Sequence, residues 1–189
     1  KENGLEVLFL HALIDTHFIQ FLESKDTKIK YVAVDSELSD NLVDNDQASE
    51  VVDKDNKTAS DKLEAIFKKE INNEKLKIEV KALKSESVSG MILEAEYIKR
   101  MKNMSHFMQG NDMPAFDDST LIVNSNNPIV KDIVTLSDTA GKKDLVHKLC
   151  HHVHDLAKMS KQQLTGEQLQ TFITRSNELM STLSKNSLG

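Results

Sequence analysis

The 189 residues carry 30 acidic against 24 basic side chains, a formal net charge of −6, with 39% hydrophobic and 29% charged residues. Those proportions describe a soluble globular chain of one or two small domains, and the longest strongly apolar run, residues 7–14, is broken by His11 and far too short to span a bilayer. The charge is localised, because residues 35–58 hold eight acids and two lysines; the rest of the chain is neutral and leaves no basic face for a nucleic-acid backbone.

A single cysteine, Cys150, excludes an internal disulfide and suits a reducing, cytoplasmic setting. The chain opens Lys-Glu-Asn-Gly, with neither an initiator Met nor a signal-peptide pattern, and is expected to be part of something longer.

Residues 5–10 form a nearly continuous apolar run, the pattern of a strand covered on both faces. Ile14, Phe18, Ile19 and Leu22 then recur at helical spacing, and residues 29–34 alternate as a short strand. This strand, helix and strand over residues 1–34 looks like the closing piece of an α/β layer. Residues 35–58, rich in Asn, Asp and Ser, read as an acidic linker, and without a Gly they lack the pattern of a calcium loop.

A second unit starts at Ser60, a candidate N-cap with Asp61 and Glu64 in the first turn. Leu63, Ile66, Phe67 and Ile71 would be that helix's buried face. Leu76, Ile78, Val80 and Ala82 alternate with charged residues as a half-wet strand, and residues 87–93 read as its partner, with Gly90 at an edge or bulge. Over residues 94–109, Tyr97, Ile98, Met101, Met104 and Met108 share one helical arc, flanked by Phe107. Such a stripe is either a core helix in which methionine fills gaps or a soft exposed face for varied partners. A loop follows at residues 110–116, then a third strand at 121–123. Asn127-Pro128 opens a short helix expected to turn Ile129, Ile133 and Leu136 inward.

Residues 143–161 and 165–185 read as two amphipathic helices joined by a short turn, the second opened by a capping box, Thr165-Gly-Glu-Gln168. A short connection folds them into an antiparallel hairpin. Its stripes can cover each other, cover the upstream unit, or meet a second hairpin as a four-helix bundle. The residues expected at such a seam are Val146, Leu149, Val153 and Leu156 on the first helix and Leu169, Phe172, Ile173, Leu179 and Leu183 on the second.

His147, His151 and His154 fall at i, i+4 and i+7, beside Cys150 and His152, so a soft metal is conceivable; the simpler reading is histidines flanking a helix seam, and no metal is expected. There is no Gly-rich phosphate loop and no Gly-x-Ser-x-Gly, and Cys150 lacks the surroundings of a nucleophile.

Gly4 to Leu10, Ile14 to Ser24 with its Ile-Asp-Thr-His-Phe-Ile-Gln-Phe-Leu-Glu-Ser, and Leu-Ile-Val-Asn-Ser-Asn-Asn-Pro-Ile-Val-Lys at Leu121 to Lys131 resemble ninety-kilodalton heat-shock chaperones, the bacterial branch more closely. The order of acidic gap, strand pair, Met-rich helix and closing helix pair is similar as well. The resemblance implies a homodimeric, ATP-driven folding chaperone whose closing helices form the dimer seam. It also implies that ATP and Mg bind in an N-terminal domain outside this chain, with a catalytic arginine upstream of Lys1. By the same resemblance the stripe of Ile98, Met101, Met104, Phe107 and Met108 faces unfolded clients. Two features depart from the family. The chain ends Lys-Asn-Ser-Leu-Gly rather than in the acidic pentapeptide of cytosolic eukaryotic members, and His17 stands where bacterial relatives often carry an aromatic.

The expectation is therefore an α+β protein: a middle-domain remnant at 1–34, a linker at 35–58, and a dimerisation domain at 59–189. That domain would comprise a three-stranded sheet, its helices and a hairpin closing a dimeric four-helix bundle. The segment alone would be no enzyme, with itself and unfolded proteins as partners and neither nucleic acid nor membrane among them. The competing reading is a standalone histidine-rich, metal-binding stress protein.

Overall fold

The computed structural model describes residues 9–10, 14–29, 31, 43–44, 58–94, 98, 119–161 and 164–188. The strands expected at 5–10 and 29–34, most of the acidic stretch, the Met-rich helix apart from Ile98, and the loop at 110–116 lie wholly or largely outside the described residues. Within them the chain is α+β. Helices α1 (Asp15–Lys25) and α2 (Ala59–Ile71) precede strands β1 (Lys77–Lys81), β2 (Gly90–Glu94) and β3 (Ser119–Asn124). Helices α3 (Pro128–Ser137), α4 (Lys143–Met159) and α5 (Gly166–Leu188) follow. No helix among the described residues is long and apolar enough to cross a membrane.

Helix α2 begins two residues earlier than Ser60 suggested. Thr58 is the N-cap: its hydroxyl accepts from the Asp61 amide, and the Asp61 carboxylate accepts from the Thr58 amide, closing a capping box. The helix ends at Asn72, whose left-handed backbone (φ 48°) suits asparagine better than a branched residue. Leu63 and Phe67 are buried, with Ile66 and Ile71 packed at the core's margin, as their spacing anticipated.

The sheet order is β1-β3-β2, so the expected pairing of the first two strands is incorrect. β3 lies between them, parallel to β1 (Ile78 opposite Leu121) and antiparallel to β2 (Ile92 opposite Leu121). The physical reason is burial. Leu121, Ile122 and Val123 are all buried, and a strand apolar on both faces belongs at the centre, where neither an edge nor a face meets water. β1, in which apolar residues alternate with charged ones, and β2, only partly buried along its length, take the edges.

Asn124 fixes this arrangement. It is fully buried, and its side chain makes the four hydrogen bonds an amide can form. Oδ1 accepts from the amides of Leu83 (2.9 Å) and Asn126 (3.0 Å), and Nδ2 donates to the carbonyls of Ser85 (2.8 Å) and Val88 (2.6 Å). Asn126 donates to the Leu83 carbonyl and Asn127 to that of Glu86, so three asparagines hold the β1–β2 connection. At the same end an isolated antiparallel bridge joins Val43 to Leu83, and the Asp44 amide donates to the Ala82 carbonyl at 2.8 Å.

Asn127 also caps α3, accepting from the amides of Ile129 and Val130, with Pro128 at the first helical position. The inward face of α3 is Val130 and Ile133. Ile129, expected inward, is exposed, because the cap turns the helix so that the next residue meets the core.

Asn124→Ala should destabilise the domain by more than about 2 kcal/mol, since two amides and two carbonyls lose their partner and each unmet buried group costs about 1–3 kcal/mol. Urea unfolding followed by circular dichroism measures this. A midpoint within error of the parent would show that the network does not carry the connection.

Candidate functional site

Helix α4 has two apolar faces, and they meet different surroundings. Val146, Cys150, Val153 and Ala157 turn inward and join Phe67, Ile78, Leu121, Val123 and Ile133 in one core. Two residues expected at an intermolecular seam, Val146 and Val153, are thus core residues, 4% and 1% exposed. Their register with Cys150 and Ala157 points them at the sheet, which leaves them nothing to offer a second chain. The Cys150 thiol is fully buried, and desolvation, with the charge of Glu70 adding to it, pushes its pKa up to about 12. It is an inert core group.

The opposite face of α4 carries α5. Thr165 and Gln168 make the anticipated capping box: the Gln168 side chain accepts from the Thr165 amide (3.2 Å), and the Thr165 hydroxyl accepts from the Gln168 amide (3.4 Å). Lys158 reaches the same Gln168 oxygen. Midway along the hairpin Arg175, 9% exposed, donates to the Asp155 carboxylate, whose other oxygen lies 3.3 Å from His154 Nδ1. Desolvation alone would raise the Asp155 pKa, but hydrogen bonds from His154 and Arg175 outweigh it and hold the carboxyl below its ordinary 3.8. His152 stacks on Phe172, with ring centroids 5.0 Å apart and planes 7° from parallel, and the Arg175 guanidinium lies 5.8 Å from the same phenyl ring. Nearer the other end, Lys148 bridges Asp144 and Glu178.

The histidines divide between two places rather than converging. The Glu70 carboxylate lies 2.9 Å from His147 Nδ1, and the Glu70 carbonyl accepts from His151 Nε2 at 3.0 Å, so both rings sit on the last turn of α2. His154 instead faces Asp155. Among the described residues no three His, Cys, Asp or Glu side chains are grouped to hold a metal ion.

The hairpin also turns apolar residues outward. Leu156 and Met159 of α4 join Leu169, Ile173, Met180 and Leu183 of α5, between 41% and 67% exposed. Phe172 and Leu179 are half-buried, and Leu149 is half-buried against the core. Ile98 is 2% exposed, a covered position that does not fit a client-facing side chain; Met101, Met104, Phe107 and Met108 lie outside the described residues.

No protein-family model matches the chain. Curated relatives do match it. It is 32% identical over 142 residues to the chaperone protein HtpG of Bacteroides fragilis, covering 71% of this chain and 20% of that protein. It is 30% identical over 149 residues to HtpG of Bacteroides thetaiotaomicron, 73% of this chain and 21% of the relative. It is 26% identical over 153 residues to HtpG of Porphyromonas gingivalis, 77% and 21%. This chain is a homologue of the HtpG chaperones. It spans about one fifth of the length of the curated relatives it matches.

In this HtpG homologue the hairpin is therefore more than two greasy helices. Arg175, Asp155 and the His152–Phe172 stack were not anticipated, yet a signal was present. Arg175 falls three residues after Phe172 and four before Leu179, a charge in the middle of an apolar stripe. Such a position demands an acid across the seam.

Arg175→Ala should loosen α5 and cost about 2–4 kcal/mol, because the Asp155 charge keeps its burial and loses its partner on α5. Arg175→Met with Asp155→Leu should recover most of the loss. The folded carboxyl titrates below 3.8, so its contribution is complete above that pH and is lost as pH falls through the folded value. The parent should lose stability below about pH 4 more steeply than the double variant. Denaturant midpoints and amide exchange across α5 read both effects, and an unchanged Arg175→Ala midpoint would dismiss the pair as incidental.

Proposed function

We propose that the hairpin is the homodimer seam of an ATP-driven, HtpG-type folding chaperone, with residues 59–189 as its dimerisation domain, 35–58 as a linker and 1–34 as the end of the preceding domain. The observation that carries this reading is the set of exposed apolar residues on the closing hairpin, Leu156, Met159, Leu169, Ile173, Met180 and Leu183. Exposed apolar surface of this kind marks an interaction site, and a two-fold axis lets one such face cover its own copy.

The magnitudes support a stable pair. Full burial of a large apolar side chain contributes about 1.5–3 kcal/mol, so these half-exposed residues have roughly 1 kcal/mol each left to gain. Six from each chain give about 12 kcal/mol, toward the upper part of the association cost of about 4–15 kcal/mol. Half-buried Phe172 and Leu179 form the floor of the seam, and Leu149 packs against the core.

The relatives are named as chaperones, and the client-facing role falls to Met101, Met104, Phe107 and Met108, the methionines' flexible thioethers suiting varied unfolded sequences. Ile98 is left out of that face by its burial. ATP and Mg belong to another part of the full-length protein in this reading, and the segment by itself catalyses nothing.

Sedimentation equilibrium should give a dimer at micromolar concentration. Leu183→Asp should give a folded monomer, because an exposed residue changes melting stability by no more than about 0.5 kcal/mol while an unpaired charge in the seam disrupts association. A parent that sediments as a monomer would overturn the dimer. In the full-length protein, Met101→Ser with Met104→Ser should leave melting unchanged and weaken suppression of client aggregation; unchanged suppression would remove the client role.

A further inference from the structure

The seam has a feature that neither packing nor dimerisation accounts for. His152 Nδ1 is buried without a hydrogen-bond partner among the described residues, on a ring pressed flat against Phe172. Arg175, over the same phenyl ring, brings a permanent positive charge to this place. We infer that His152 is a proton-sensitive latch: its neutral ring seats α5 on α4, and its protonated ring releases it. The latch concerns the hairpin within one chain; its effect on assembly rests on the dimer reading above.

The chemistry is direct. A neutral imidazole protonated on Nε2 leaves at Nδ1 only a lone pair, a modest loss in a covered site. Imidazolium would put there a charged N–H with no acceptor, a far costlier group to bury. It would also set a second cation beside Arg175.

Two charged groups act on the latch, with opposite sign. Arg175 of α5 opposes protonation of His152, while Asp155 of α4 favours it; Asp155 is already engaged by Arg175 and His154. Glu178 of α5 faces Lys148, Glu70 of α2 faces His147 and His151, Glu94 of β2 lies nearest Lys161, and Lys131 and Asp132 of α3 are exposed. Desolvation first, then Arg175, holds the His152 pKa below its ordinary 6.5. Over the window between that lowered value and 6.5, the released hairpin binds more protons than the seated one. Seating is therefore strongest above about pH 6.5 and weakens as pH falls.

His154 provides the internal control: it faces the Asp155 carboxylate of its own helix, whereas His152 stacks on Phe172 of α5.

The test is amide exchange of residues 166–188 in the whole chain at pH 7.5 and 5.5, corrected for intrinsic rates, alongside sedimentation at both values. The parent should lose α5 protection several-fold at pH 5.5, and its dimer should dissociate at several-fold higher concentration. His152→Phe, which keeps the stack but cannot titrate, and His152→Gln should both abolish the pH response, while His154→Gln should keep it. A parent with pH-independent α5 protection, or a His152→Phe response equal to the parent's, would overturn the latch. Repeating the exchange in Leu183→Asp separates the two readings. A parent monomeric at pH 7.5 that still shows His152-dependent release would defeat the dimer and support the latch.

Discussion

The domain depends on how closely α4 lies against the sheet, and Gly90 is where that distance is set. A β-carbon there would stand 3.0 Å from the Ile122 carbonyl oxygen and 3.3 Å from a methyl of Val153. With hydrogen in its place, Val153 reaches the sheet and brings Val146, Cys150 and Ala157 into the same core. Any side chain there would press on both the neighbouring strand and Val153, which would each have to give by a few tenths of an ångström. Because α4 is also the platform for α5, the orientation of the outward stripe descends from one missing side chain on an edge strand.

Two kinds of polar chemistry then divide the labour. Around Asn124 the bonds are neutral and complete, all within the chain, and fix which strands pair. Along the hairpin they are charged and partly incomplete: an ion pair, a stacked imidazole, an orphaned ring nitrogen. A satisfied neutral network rigidifies its surroundings, whereas a charged one in a covered site responds to conditions. The inner layer accordingly has the character of a scaffold, and the outer helix is held by the more condition-dependent contacts.

Periodicity made the helices legible. The stripes of α2, α4 and α5, the Thr165–Gln168 box and the Asn127-Pro128 start could all be read from residue spacing, because each is a local matter of backbone groups and the next turn. The sheet order could not. Strands adjacent in sequence usually pair, and the preference of Leu121 to Val123 for the centre emerges only when burial on both faces is weighed against the partly exposed edge strands. The apolar residues of α4 were visible as a set but not as two faces, since 100° per residue places Val146 and Leu149 close enough to look alike. Which of them met the core depended on where the sheet lay. Asn124 lies within the family-like run, and its structural work is invisible there because three of its four partners lie 36 to 41 residues away in sequence.

Cys150 gives the molecule a way of being watched. It is the only thiol in the chain, it is fully buried beneath α4, and its raised pKa keeps the reactive thiolate scarce at neutral pH. Reaction with an alkylating reagent therefore waits for the helix to lift from the sheet, and the labelling rate counts those openings one molecule at a time. Loss of α5 alone leaves Cys150 covered, since its surroundings are the inner core and not the hairpin. A native sulfur atom thus distinguishes release of the outer helix from unfolding of the domain that carries it.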